Sequence, residues 1–315
     1  MTILDRFRLD GRRALVTGAS RGIGRAVAVA LAQAGAQLAL SARTEAALKE
    51  TAELIAPYGH TPVLVPGDLA DTAEAALVDR AAEALGGLDI LVHNAGTLPV
   101  NPDGSPILAP LQYLPQAAWD EVVTVNLNAT AAICRHAQPH LARSQDASLV
   151  LMSSVAGVVG TPLMEAYAAT KAAQVSLARS LAVGWARSGI RVNALCPGWV
   201  RTDMTAAVQA DPALTDWLLA HVPAGRWADP EEVAGVALFL ASPAASFLSG
   251  QAVVLDGGLS VPDGGLAGIP KPPSPFAAAP APAPAAGAVP AAAAAVPGPS
   301  GSAAESGADS AAAVV

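Results

Sequence analysis

The chain has 315 residues, 52% of them hydrophobic and 14% charged, with a net charge of −8. Alanine supplies much of that hydrophobic fraction, and no run of about 18 strongly apolar residues occurs, so no transmembrane helix is expected. The acidic balance and the lack of a basic stripe argue against nucleic acid as the main partner, and two cysteines without CxxC or metal spacing (Cys134 and Cys196) argue against a disulfide framework.

The first thirteen residues, MTILDRFRLDGRR, carry no apolar signal core and no cleavage site, which predicts a cytoplasmic protein. Residues 13–16 are a short apolar run ending in a glycine-rich turn, and a helical pattern over 25–34 closes at Gly35. A second strand is expected at 37–41. Thr44 then caps a helix that Pro57 stops. A third strand at 61–65 ends in Pro66-Gly67, a third helix starts at Asp71 or Thr72, and a fourth strand covers 88–92. This strand–helix alternation predicts right-handed crossovers and a parallel sheet.

Residues 97–115 carry five prolines and a turn dipeptide, and read as an irregular loop. A helix over 116–143, bent or frayed at Pro139, comes next, then a strand at 148–152. The segment 164–186, rich in Ala and Leu, reads as a helix, and a strand follows at 191–195. Short helices broken near Pro212 fill 202–221, and Asp229 caps a helix over 230–241 that opens with Pro230, Glu231 and Glu232. A seventh strand spans 251–255. From residue 262 onward the chain is Ala, Pro, Gly and Ser, too poor in large apolar groups to offset the entropy of ordering. The expected organisation is one doubly wound α/β domain over 1–261, a seven-stranded parallel sheet of the Rossmann kind, and a disordered tail over 262–315.

The turn after the first strand reads T-G-x-x-x-G-x-G, with Gly18, Gly22 and Gly24 and with Ser20, Arg21 and Ile23 between them. Between a strand and a helix, such glycines let the backbone approach a pyrophosphate, and the helix N-terminus offers free N–H groups. A site for NAD would place an acid near the end of the second strand. The sequence there is Ser41-Ala42-Arg43, without a carboxylate. Either Arg43 and Arg21 clasp a 2′-phosphate or both face water; the missing acid favours NADP(H) over NAD(H). Tyr167 and Lys171 are one helical turn apart, and a nearby ammonium favours a phenolate, so the pair suits general acid–base chemistry.

These features together resemble the short-chain dehydrogenase/reductase family, and within it the 3-oxoacyl-carrier-protein reductases. The resemblance rests on TGASRGIG at 17–24, Asp68-Leu69, Asn94-Ala95-Gly96, Asn126 in VNLNAT, Ser154, Tyr167 and Lys171, Pro197-Gly198 and LDGG at 255–258. It covers residues 10–260 and implies a tetrad of Asn126, Ser154, Tyr167 and Lys171. Tyr167 would exchange a proton with the substrate oxygen as hydride moves, and Ser154 would hold that oxygen, with Ser153 as its rival for the role. Lys171 would lower the Tyr167 pKa and bind the nicotinamide ribose, and Asn126 would hold a water leading from Lys171 to solvent. By the same resemblance Asp68 and Leu69 meet the adenine, and Asn94, Ala95 and Gly96 the adenosine ribose side. Pro197, Gly198, Val200 and Thr202 are placed at the nicotinamide end.

The implied activity is NADP(H)-dependent interconversion of a carbonyl and a secondary alcohol on a small molecule, by a homodimer or homotetramer. A 3-oxoacyl thioester is the leading substrate, a polyol or sugar the alternative, and a non-catalytic NADP-binding scaffold the alternative of another class. His93 departs from the family's usual Asn and reads as a packing residue or as a modifier of cofactor affinity. The 97–115 loop either borders the substrate pocket or is a surface insertion. His136 and His140 at i and i+4 lack a neighbouring Glu and read as surface histidines, and no metal is expected. Trp199, Trp217 and Trp227 flank a segment, 199–225, that the family uses as a mobile substrate lid.

Overall fold

A computed structural model describes residues 2–59, 61–101, 105–262 and 271–272. The expected tail therefore lies outside the described residues, apart from Pro262, Lys271 and Pro272.

Seven strands form one sheet: β1 (Arg13–Thr17), β2 (Gln37–Ser41), β3 (Val63–Leu64), β4 (Ile90–His93), β5 (Ala147–Met152), β6 (Ile190–Pro197) and β7 (Ala252–Leu255). Every pairing is parallel, in the order β3-β2-β1-β4-β5-β6-β7. Because side chains alternate along a strand, each strand feeds two cores. Leu15, Leu149 and Leu151 enter one core, while Ala14, Val16, Val150 and Met152 enter the other. The first is covered by α3 (Leu77–Leu85), α5 (Ala129–Leu141) and α6 (Glu165–Trp185), the second by α1 (Gly22–Gln33), α2 (Ala46–Ile55) and α9 (Pro230–Ala241).

The order reverses between β1 and β4, so their C-terminal ends splay the connections apart and leave a crevice there. The glycine turn after β1 and Asn94 after β4 both stand at that edge. Two local features differ from the sequence reading. The long helix expected at 116–143 is α4 (Gln116–Val123), a π-helical turn (Thr124–Asn128) and α5, so the interruption falls at Asn126 and not at Pro139, which sits in the last turns of α5. The third helix begins as a 3-10 turn (Thr72–Ala76) capped by Asp71, whose Oδ1 accepts from Ala73 N at 2.9 Å. Between β6 and α9 run a 3-10 turn (Asp203–Thr205), α7 (Ala206–Gln209) and α8 (Pro212–Leu219). At α9, Asp229 and Glu232 form a reciprocal capping box. Among the described residues no helix is long and apolar enough to cross a membrane.

Candidate active site

The glycine turn is shaped by close approach. Gly18 adopts φ +65°, and a Cβ there would lie 2.9 Å from the Ala95 Cα and from the Asn94 amide nitrogen. Asn94 Nδ2 donates to the Gly18 carbonyl at 3.2 Å, tying the turn to the end of β4. Gly22, also at positive φ, packs under the Thr202 side chain, so the turn meets the segment after β6. Gly24 leaves no room for a side chain against the Gly18 carbonyl. These backbone cradles, which a Cβ would fill, open onto the N-terminus of α1, and they fit a dinucleotide pyrophosphate.

The other expected cofactor residues ring the same edge. Ser20 and Ile23 are half-buried, with the Ser20 carbonyl accepting from Arg25 Nε at 3.0 Å. Asp68 is exposed and accepts from Ala70 N, and Leu69 is buried. Pro197 ends β6, the Gly198 N–H donates to the Leu255 carbonyl at 2.8 Å, and Val200 is buried. The Thr202 N–H donates to Thr205 Oγ1 at 3.2 Å. Arg21 turns toward the segment after β6 and pairs with Asp203 at 3.4 Å, both side chains about two-thirds exposed. Arg43 is exposed and has no hydrogen-bond or ion-pair partner among the described residues. Of the two arginines, Arg43 is the one left open for an anionic ligand.

Four side chains converge beyond the ends of β4, β5 and β6. Tyr167 and Lys171 lie one turn apart on α6, both buried, with the Lys171 ammonium 5.5 Å from the Tyr167 ring centroid. The Ser154 hydroxyl faces the Tyr167 phenol and favours its ionised form. Ser153 instead donates to the Lys171 carbonyl at 2.7 Å, so its hydroxyl is spent on anchoring α6 to β5. Asn126 holds the start of the 97–115 loop: its Oδ1 accepts from Thr97 N at 2.8 Å, and its Nδ2 donates to the Thr97 carbonyl at 2.9 Å and to Thr170 Oγ1 at 3.2 Å. Gly96 faces the gap between Asn126 and Lys171, where a Cβ would lie 3.2 Å from Asn126 Oδ1 and 3.3 Å from Lys171 Nζ.

The electrostatics depart from the simplest expectation. Burial pushes the Tyr167 phenol up to about 12, with Ser154 opposing the rise. Burial also pulls Lys171 down to about 8. The ammonium spends its donors on the Met152 carbonyl at 2.7 Å and on Gln174 Oε1 at 3.1 Å. Two polar residues that the sequence reading passed over, Thr130 and Gln174, are therefore wired into the site. Gln174 was findable: at three positions beyond Lys171 and seven beyond Tyr167 it shares their helix face.

His93 is fully buried between Thr17 Oγ1 and Thr130 Oγ1, at 2.9 Å from each. Burial, and then the charge on Lys171, push its pKa down to about 3. His136 and His140 both meet the Asp79 carboxylate of α3, at 2.6 and 2.7 Å. Trp227 is buried edge-to-face against Trp199, with centroids 5.7 Å apart, so it packs as core beside the 199–225 segment.

A family model described as enoyl-(acyl carrier protein) reductase matches residues 18–260. Gluconate 5-dehydrogenase of Gluconobacter oxydans (strain 621H) is 36% identical over 260 residues, 82% of this chain and 98% of that protein. The chain belongs to the short-chain dehydrogenase/reductase family. Cis-4-hydroxycyclohexanecarboxylate dehydrogenase of Sinomonas cyclohexanicum is 42% identical over 248 residues, 78% of this chain and 96% of that one. The crystal structure of a gluconate 5-dehydrogenase from Burkholderia cenocepacia J2315, in complex with NADP and tartrate, superimposes with a TM-score of 0.77 at 36% identity. It covers 83% of this chain and all of its own. This member of the family is an NAD(P)-dependent oxidoreductase.

Proposed function

We propose that the chain interconverts a ketone and a secondary alcohol with NADP(H), on a small hydroxylated or carboxylate-bearing carbon skeleton. The observation that carries the chemistry is the Ser154 hydroxyl set against the Tyr167 phenol, with the Lys171 ammonium one turn away. The nicotinamide cofactor supplies or accepts hydride when bound. Gly18, Gly22 and Gly24 hold its pyrophosphate, and Arg43 its 2′-phosphate. Asp68 and Leu69 take the adenine; Asn94 to Gly96, Pro197, Gly198, Val200 and Thr202 line the rest of its path.

In the reducing direction Tyr167 gives its proton to the carbonyl oxygen while Ser154 donates a hydrogen bond to the same oxygen. A phenol held above its ordinary pKa keeps its proton at neutral pH, as a general acid must. In the oxidising direction Tyr167 takes the alcohol proton, and the charge on Lys171 then stabilises the phenolate. Asn126 fixes the loop after β4 against α6 and so shapes the floor of the site.

The polyol or sugar-acid reading stands ahead of the 3-oxoacyl thioester reading because two similar proteins are named for dehydrogenation of hydroxylated carboxylates. The thioester reading keeps one support, the carrier-protein description of the matching family model. A homodimer or homotetramer is also proposed. The small-residue face of α6 (Ala168, Ala169 and Ala172) lines a 570 Å³ cavity that excludes Tyr167 and Lys171, and a second copy suits it. The test of substrate class is initial rates with NADP+ on gluconate and on cis-4-hydroxycyclohexanecarboxylate, against NADPH oxidation with a 3-oxoacyl thioester. Turnover of the hydroxy acids well above the thioester supports the reading, and the reverse ranking overturns it.

A further inference from the structure

The buried polar groups between the glycine turn and Lys171 form one chain with an assignable direction. Thr17 Oγ1 accepts from the N–H groups of Asn94 at 3.1 Å and Ala95 at 3.2 Å. Both its lone pairs are then used, so its O–H donates to His93 Nδ1. That makes His93 the neutral tautomer with the proton on Nε2, which donates to Thr130 Oγ1. Thr130 in turn donates to the Asn126 carbonyl at 2.7 Å. Gln174 Nε2 donates to the same carbonyl at 2.8 Å and to Thr130 Oγ1 at 3.0 Å. A carbonyl cannot donate, so the orientation of the Gln174 amide is settled and its Oε1 faces Lys171 Nζ. His93, Asn126, Thr130 and Gln174 are all completely buried.

Both lone pairs of the Asn126 carbonyl are taken by Thr130 and Gln174. The Gln174 amide therefore links that carbonyl to Lys171. The groups facing Lys171 are His93 from β4, Cys196 from β6 and Tyr167 on α6 itself. His93 is neutral, and burial keeps the Cys196 thiol and the Tyr167 phenol protonated. With no anion among these neighbours, the Met152 carbonyl and Gln174 Oε1 are what stabilise the ammonium.

We infer that Gln174 is a positioning residue of the catalytic site: clamped on the Asn126 carbonyl and Thr130, its amide holds the Lys171 ammonium in place and keeps it charged beside Tyr167. The inference rests on the acid–base reading of Tyr167 and Lys171 proposed above.

The test is the pH dependence of alcohol oxidation at saturating NADP+ in Q174M and Q174L. In both variants Asn126 keeps the Thr130 hydroxyl, Thr130 keeps His93 and Lys171 keeps Met152. No buried group is orphaned, and both chains fold. Loss of the acceptor lowers the Lys171 pKa. An uncharged Lys171 supports the Tyr167 phenolate less, so the Tyr167 pKa rises. Oxidation needs the phenolate, and the rising limb of kcat/KM therefore moves to higher pH by about one unit. Turnover near neutral pH falls about tenfold as a result.

A residue that only packs would lower activity equally at every pH. Limbs that superimpose on the wild type in both variants overturn the inference, and so does failure of both to fold, because the inference requires the amide to be dispensable to the core. Tyr167→Phe in the same assay separates the two claims. An active Y167F removes the acid–base reading itself, whereas an inert Y167F with unshifted Gln174 limbs removes only the role of Gln174.

Discussion

The Lys171 ammonium lies 5.5 Å from the Tyr167 ring centroid, near enough to act as a charge on the ring while its hydrogen bonds go to Met152 and Gln174. The group that favours the ionised phenol is the Ser154 hydroxyl. In the proposed mechanism, proton donation depends on a buried, protonated Tyr167, and proton removal on whether Lys171 stays charged.

Acid should destabilise the fold through His93. Its folded pKa of about 3 lies below the ordinary 6.5, so the unfolded chain binds a proton that the folded chain refuses. The contribution is fully present above 6.5 and is lost progressively as pH falls toward 3. Denaturant midpoints measured across that window should fall more steeply for the wild type than for His93→Asn. Equal slopes would mean that His93 is not held neutral.

Ala42→Asp should shift cofactor use toward NAD. Ala42 follows the end of β2, and Arg43 beside it is exposed. A carboxylate there accepts from a ribose 2′-hydroxyl and repels a 2′-phosphate. The ratio of kcat/KM for NADP to that for NAD should drop by about tenfold or more. An unchanged ratio would place the 2′-phosphate contact elsewhere.

Leu163 is the one non-glycine residue at positive φ among the described residues, at +71°, immediately ahead of the segment that starts α6. The left-handed conformation costs a branched side chain about 1–2 kcal/mol, more than the entropy penalty of glycine in the unfolded chain. Leu163→Gly should therefore raise stability by roughly 0.5–1 kcal/mol in urea unfolding. A loss of similar size would show that packing of the half-buried leucine outweighs its strain.

Removing residues 262–315 should leave melting temperature and kcat almost unchanged. The sheet ends with β7, and the Asp256 carboxylate closes the chain beyond it by accepting from Gly258 N and Ser260 N at 2.9 and 2.7 Å. A marked drop in either quantity would show that the Ala/Pro-rich segment supports the body.

Much of the fold was legible because its signals are local. Pro230 with Asp229 and Glu232 marks the start of α9, and apolar runs bounded by glycine or proline mark β1, β3, β4, β6 and β7. The placement of Tyr167 and Lys171 one turn apart on a helix was legible from their spacing. The π-turn was not, because it is held by tertiary bonds from Asn126 to Thr97 and Thr170 that no local pattern announces. The upward shift of the Tyr167 phenol was not legible either, since burial, its largest cause, depends on the whole fold. Gln174 shows the same limit from the other side. Its position is visible on the helix, but its meaning depends on the Asn126 carbonyl arriving from the π-helical turn between α4 and α5.

The most direct measurement of the central claim is turnover and NADPH binding in Tyr167→Phe, with an alcohol or ketone that the wild type converts. The account predicts that loss of the hydroxyl abolishes turnover, by a factor of about 10² to 10⁴, while NADPH affinity from fluorescence titration stays nearly intact. A Y167F enzyme that turns over as fast as the wild type would contradict it.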